Sequence, residues 1–210
     1  MSKILISGYY GFANAGDEAM LTAIIESLRQ VEKNVELTVL SGNPEDTAAK
    51  HQVCSVYRFN PLGIIRAMKD SELIISGGGS LLQDVTSKRS LLYYLSIIGL
   101  GKFFGKKVML FAQGIGPIRA KWARKLTSLV CNEADLITVR DSESAAELIE
   151  MGVKPEKITV TADSVLSLNP VTKECGQYLL QEAGVDLTKP VIGISVRPWS
   201  GDSQCFQVLA

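Results

Sequence analysis

The sequence predicts an α/β fold built on a doubly wound parallel sheet. Two observations lead there. Short apolar runs recur along the 210-residue chain, and amphipathic helical segments separate them. The runs are nearly continuous in Val, Ile and Leu, as strands are when helices cover both faces of a sheet. Composition agrees. Apolar residues make up 46% and charged residues 21%, which supplies a sizeable core and excludes disorder as a class.

The elements follow in order. Lys3 to Ser7 is the first strand and runs into a glycine-rich turn. Asp17 to Val31 is a helix, because Met20, Leu21, Ile24, Ile25 and Leu28 recur at helical spacing. Val35 to Leu40 alternates as the second strand. Pro44 to Lys50 reads as a short helix and Val53 to Tyr57 as a short strand. Pro61 to Lys69 is a helix with proline in its first turn, where a missing N–H is no loss. Leu73 to Ser76 is a strand ending in Gly77-Gly78-Gly79. Ser90 to Phe104, Lys121 to Asn132 and Ser142 to Met151 read as helices. Val108 to Ala112, Leu136 to Val139 and Ile158 to Thr161 are the strands between and after them. Lys173 to Ala183 as a helix and Val191 to Val196 as a strand would begin a second α/β unit. At about 150 residues per domain, the length corresponds to roughly 1.4 domains. The expected division is 1–169 as one domain and 170–210 as the start of a second. The strand Val191 to Val196 would be an open edge able to pair with another copy of the chain, so a homo-oligomer is expected there.

Charge and cysteine usage narrow the function. The 22 Lys and Arg balance 22 Asp and Glu. Zero net charge argues against nucleic acid as a partner, since such binding needs clustered basic residues to displace counterions. Cys54, Cys131, Cys175 and Cys205 form no CxxC pair, and His51 is the one histidine. Neither a metal site nor a cofactor is expected from them. His51 sits at a helix end and carries no catalytic expectation. The N-terminus lacks the apolar core of a signal peptide, which points to a reducing cytoplasm with the cysteines as buried thiols. The apolar stretch Leu91 to Phe104 falls short of the roughly 20 residues needed to span a bilayer. It reads as a core helix, or as a helix resting on the inner membrane face with Lys102, Lys106 and Lys107 near anionic head groups.

In open α/β sheets, ligands bind beyond the carboxyl ends of the strands, so the turns there carry the candidate site. The turn after the first strand supplies Gly11, Asn14, Gly16 and Asp17. Its helix N-terminus could hold an anion. Against this, Asp17 and Glu18 oppose an anion, and the glycine spacing is not GxGxxG. A plain capped turn fits equally. The fourth strand is followed by Gly77, Gly78, Gly79, Ser80, Gln83 and Asp84. Three successive glycines imply close approach to a ligand or tight packing. The fifth is followed by Gln113, Gly114 and Gly116. Here a side-chain amide could bind a sugar hydroxyl or an acid, or the glycines could serve a tight turn. After the sixth, Arg140 could clamp a carboxylate or phosphate. Alternatively, Arg140 and Asp141 form a surface pair with a helix cap. Asp163 could orient Arg140, and Arg197 is a second candidate clamp.

These motifs occur in a fixed order. They are Gly11-Phe12-Ala13-Asn14-Ala15-Gly16-Asp17-Glu18-Ala19, Gly77-Gly78-Gly79-Ser80-Leu81-Leu82-Gln83-Asp84, Gln113-Gly114-Ile115-Gly116-Pro117, Val139-Arg140-Asp141 and Ile194-Ser195-Val196-Arg197-Pro198-Trp199. Together they resemble the polysaccharide pyruvyl transferases, most closely the CsaB type, over nearly the whole chain to about Gln204. The resemblance implies a Rossmann-like domain that is the N-terminal half of a two-domain GT-B-type fold. It implies transfer of pyruvate from phosphoenolpyruvate, as a ketal, onto a sugar of a cell-wall polysaccharide. In the CsaB type that sugar is typically an N-acetylmannosamine on a lipid-linked precursor, and the product anchors surface-layer proteins. The donor carries a carboxylate and a phosphate, so Arg140 and Arg197 suit it. The resemblance places an essential histidine and lysine in the second domain, and no residues here match them. The expectation is therefore a truncated chain that is inactive alone. A further departure is Asp163-Ser164, where the family usually has Asp-Pro. Two other classes stay open: a GT-B-type glycosyltransferase using a nucleotide sugar, and a non-catalytic binding module.

Overall fold

The computed structural model describes residues 2–194. Seven parallel strands form one sheet: β1 Lys3–Tyr10, β2 Glu36–Ser41, β3 Cys54–Tyr57, β4 Leu73–Gly77, β5 Lys107–Gln113, β6 Leu136–Val139 and β7 Ile158–Val160. Their order is β3-β2-β1-β4-β5-β6-β7. The helices between them are α1 Ala15–Val31, α2 Pro44–His51, α3 Pro61–Asp70, α4 Lys88–Phe103, α5 Lys121–Glu133 and α6 Ser142–Glu150. The expected doubly wound α/β fold is the one observed.

Alternation along the strands builds two cores. Ile4 and Ile6 of β1 pack with Leu37, Val39 and Ile75, under Leu21, Ile24 and Ile25 of α1. Leu5 points to the other face and joins Ile74, Val108, Leu110 and Ile137, under α3, α4 and α5. Burial on both faces is what the continuous apolar strands require. Side chains cap the helices: Asn14, Asn43, Asn60, Ser87 and Asp141 each accept a backbone N–H at the start of the helix that follows. Because β1 lies between β2 and β4, the chain winds outward in both directions from it. The crevice between the carboxyl ends of β1 and β4 is the switch point where ligands of such folds bind.

The chain divides into two units, Met1–Leu168 and Asn169–Ala210. The described part of the second holds α7, Lys173–Glu182, capped by Thr172.

Several expectations need correction. β1 runs on to Tyr10, not Ser7, because Tyr10 is fully buried and belongs to the sheet rather than to the turn. The strand expected at Val191 to Val196 is not formed over 191–194, and its last two residues lie outside the described ones. The open edge it would have offered to a second copy is therefore not seen over those four residues. Burial pushes the Cys131 thiol up to about 12, but Cys54 and Cys175 are exposed, so the cysteines are not uniformly buried. The fourth, Cys205, lies outside the described residues. α4 is a core helix with Leu91, Tyr94, Leu95, Ile97 and Ile98 buried. Its neighbouring lysines already have partners. Lys102 and Lys107 pair with Asp135, and Lys106 donates to the Lys69 carbonyl. No helix among the described residues is long and apolar enough to cross a membrane.

Candidate functional site at the carboxyl edge of the sheet

Tyr10 ties β1 to β4. Its hydroxyl donates to the Gly77 carbonyl at 2.6 Å. Burial pushes its pKa well above the ordinary phenol value, with nearby Asp17 adding to the rise. Around this bond the glycines serve close packing. Gly78 and Gly79 adopt φ of 85° and 66°, the left-handed region that side chains rarely enter. A Cβ on Gly78 would stand 2.8 Å from the Tyr10 hydroxyl, and one on Gly77 2.9 Å from Ile24. On Gly79 it would stand 3.0 Å from Asp17 Oδ1.

Five glycine N–H groups of these turns are bonded within the protein. Gly11 donates to Glu18 Oε1 at 2.8 Å and Gly16 to Asn14 Oδ1 at 3.1 Å. Gly79 donates to the Met20 sulfur at 2.9 Å. Gly114 donates to the Gly79 carbonyl at 3.2 Å and Gly116 to the Leu82 carbonyl at 2.8 Å. Asn14 is thus the cap of α1. Gln83 exchanges hydrogen bonds with Thr86 inside its own loop. Asp84 accepts from the Arg119 and Ala120 N–H groups, and those bonds hold its carboxyl below the usual range. His51, expected to stand apart, lies 3.3 Å from Glu18 Oε2 beside the first turn.

Gln113 has no exposed surface. A bulge at Ala112 (φ 48°) shifts the β5–β6 register ahead of it. Its Nε2 donates to Ser76 Oγ at 2.9 Å, while its Oε1 is buried without a partner.

Arg140 gathers the remaining candidates. Nε donates to Asp141 Oδ2 at 3.2 Å and Nη2 to Ser80 Oγ at 3.2 Å; Nη1 lies 3.6 Å from Asp163 Oδ2. Gly114 leaves the room for this, since a Cβ there would stand 2.7 Å from the guanidinium carbon. Asp141 also caps α6 by accepting the Ser144 N–H at 2.7 Å. The Ser144 bonds, and then Arg140, lower its pKa. A cavity of about 360 Å³ opens here, and its lining includes Ser80, Arg140, Asp141, Glu143 and Glu147. The arginine expected to clamp an anion is therefore neutralised by two carboxylates and ringed by two more. Arg197 lies outside the described residues.

The sequence reading missed a further arginine. Arg58 follows β3 and is 5% exposed. Its guanidinium carbon lies 4.4 Å from the Tyr93 ring centre and 5.1 to 6.0 Å from those of Phe59, Phe12, Tyr94 and Tyr9. The available signal was the run Tyr57-Arg58-Phe59 at a strand end.

The fold recurs in known structures. The Anabaena protein HepE, crystallised with UDP-glucose, matches with a TM-score of 0.55 at 13% identity, over 88% of this chain and 50% of its own. A glycosyltransferase from Rickettsia africae matches at 0.54 and 12%, over 90% and 51%. UDP-GlcNAc 2-epimerase from Neisseria meningitidis, bound to UDP-GlcNAc, matches at 0.52 and 13%, over 86% and 50%. The chain spans about half the length of these proteins, and at such identities the likeness is one of fold: the Rossmann-like layer of GT-B glycosyltransferases and epimerases. No curated protein matches the sequence. The model of the polysaccharide pyruvyl transferase family matches residues 14–196, which take in the turns after β4, β5 and β6 and the helix-side end of the turn after β1, and the chain belongs to that family of transferases.

Proposed function

We infer that this chain forms the sheet-edge half of a ketal-forming pyruvyl transferase, with 1–169 as its first domain and 170–210 as the start of a second. The family match over residues 14–196 carries the reading. The reaction takes phosphoenolpyruvate and two hydroxyls of one sugar. One hydroxyl adds to C2 as the methylene carbon gains a proton. Phosphate then leaves, and the second hydroxyl adds to the same carbon. Both hydroxyl protons are released, one balancing the new methyl group and one the phosphate. The proton donor is a general acid.

On this reading the Arg140 cluster holds the acceptor. A guanidinium fixed by Asp141 and Asp163 is an oriented hydrogen-bond donor with little net charge, which suits neutral hydroxyls better than a dianion. Ser80 beside it adds a hydroxyl. The acceptor is a sugar of a lipid-linked cell-wall precursor, N-acetylmannosamine in a CsaB-type enzyme whose product anchors a surface layer. Such an enzyme works in the cytoplasm against the inner membrane face.

Calorimetric titration with phosphoenolpyruvate, with an N-acetylmannosamine-terminated disaccharide and with UDP-sugars tests the reading. Binding of the first two supports it. Tight UDP-sugar binding without either would replace it with a nucleotide-sugar transferase.

A further inference from the structure

The aromatic cage around Arg58 encloses a buried guanidinium. A buried cation is costly unless paired. Among the described residues, no carboxylate comes within ion-pair distance of Arg58, unlike Arg140. Five ring faces stabilise the charge, but they do not satisfy its N–H donors as an oxygen would. Arg58 Nε is buried without a hydrogen bond of good geometry, and so are the Tyr93 and Tyr94 hydroxyls and Ser7 Oγ. Arg58 lies beside both tyrosine hydroxyls and Ser7 beside that of Tyr93, so these groups face one another, and what the cluster lacks is a negative partner for the guanidinium.

The cage opens on a cavity of about 390 Å³, lined by Arg58, Arg89, Ser87 and Ser90 together with Tyr9, Phe12, Phe59 and Tyr93. That volume lies within the range of small-ligand sites. Two arginines and no acid line it. Arg89 stands in the first turn of α4, where a cation opposes the helix dipole and an anion would relieve it. Tyr9 and Phe12 are stacked 4.3 Å apart at 12° and half exposed, which leaves a flat apolar face beside the two guanidiniums.

We propose that this cavity binds a phosphate monoester, with Arg58 and Arg89 holding the phosphoryl oxygens and the Tyr9–Phe12 pair covering the organic part. Guanidinium forks match phosphoryl oxygens, and a carbon body favours the ring face. A free enol phosphate and a phosphorylated sugar share this chemistry. The site is separate from the Arg140 cluster and does not rest on the pyruvyl-transfer reading, so it can stand if ketal formation is never found.

The test is calorimetry on the whole chain with phosphoenolpyruvate, glucose 1-phosphate and uncharged glucose. One or both phosphates should bind, and glucose should not. Arg58→Gln should weaken binding about tenfold or more, and the exposed Arg89→Gln about threefold. Lys125→Gln, on the exposed face of α5, should leave it unchanged. Phosphoenolpyruvate bound alone assigns the enol phosphate, and glucose 1-phosphate bound alone assigns the sugar. Absence of both heats at about 10 mM ligand overturns the proposal. So does equal binding by Arg58→Gln, or an equal loss with Lys125→Gln. Should Arg58→Gln not fold, Arg89→Gln decides, and undiminished affinity in that variant overturns it.

Discussion

Arg140 and Arg58 stand at the carboxyl ends of β6 and β3, on opposite sides of the β1–β4 switch point. Arg140 is adjacent in sequence to an acid, pairs with a second at Asp163, and reaches Ser80. Arg58 has aromatic neighbours in sequence and in space and no acid beside it. Position at a strand end therefore does not make an arginine an anion site. What decides it is whether the protein has already supplied the counter-charge. One region is closed on itself electrostatically and suits neutral hydroxyls; the other holds charge in reserve.

A second contrast, between a glycine of the switch point and one beside Arg140, gives the largest expected effect. At Gly8 a Cβ would stand 2.6 Å from the Gly77 carbonyl and 2.3 Å from the Tyr10 ring, and neither backbone nor buried ring can yield. At Gly114 the nearest atoms it would meet are the side-chain ends of Ser80 and Arg140. Gly8→Ala should cost about 2 to 3 kcal/mol, and Gly114→Ala less than about 1 kcal/mol, by urea denaturation. Equal losses would break the distinction between a rigid switch point and an adaptable Arg140 cluster.

Tyr10→Phe probes the rigid side more gently. It removes the 2.6 Å bond and leaves the Gly77 carbonyl buried without that donor. The expected loss is about 1 to 2 kcal/mol. A neutral outcome in the same denaturation experiment would mean that packing alone holds β1 to β4.

How much of this was legible follows from where each partner lies in the chain. The strands were readable because burial on both faces writes itself as unbroken apolar runs. The end of β1 was not, since Tyr9-Tyr10 looks like a turn until Tyr10 is seen to fill the space beside Gly77. The Arg140–Asp141 pair was visible as neighbours. Arg58's cage was not, because beyond its neighbour Phe59 the rings come from two distant stretches, Tyr9 with Phe12 and Tyr93 with Tyr94, that only the fold brings together. Gly77-Gly78-Gly79 announced a special backbone. Whether ligand or protein fills the space above it is a tertiary fact, and here Tyr10, Ile24 and Asp17 fill it.

Compensated charge also sets the acid limit of the fold. Burial alone would raise the Asp135 pKa, but hydrogen bonds from Lys102, the Val108 N–H and Lys107 hold it down to about 2. Asp84 and Asp141 are lowered as well. A carboxyl depressed in the folded state contributes stability above its unfolded value of about 3.9 and loses it as pH falls through the folded value. Thermal stability should therefore be flat above about pH 5 and fall between about pH 4 and 2. Asp135→Asn should flatten that fall, and an unchanged acid limb would remove Asp135 from the account.

The smallest effect tests the comparison most directly. Arg140 and its two acids are each about one-third exposed, so solvent screens their attraction. A double-mutant cycle of Arg140→Gln with Asp163→Asn should give a coupling of about 0.5 kcal/mol or less, fading with salt. If the pair is this weak, its worth lies in aiming the guanidinium at Ser80 rather than in stability. The acceptor site should then fail in Asp163→Asn while the fold persists. A coupling several times larger would make Arg140 a structural tie, and the acceptor reading of that cluster would lose its footing.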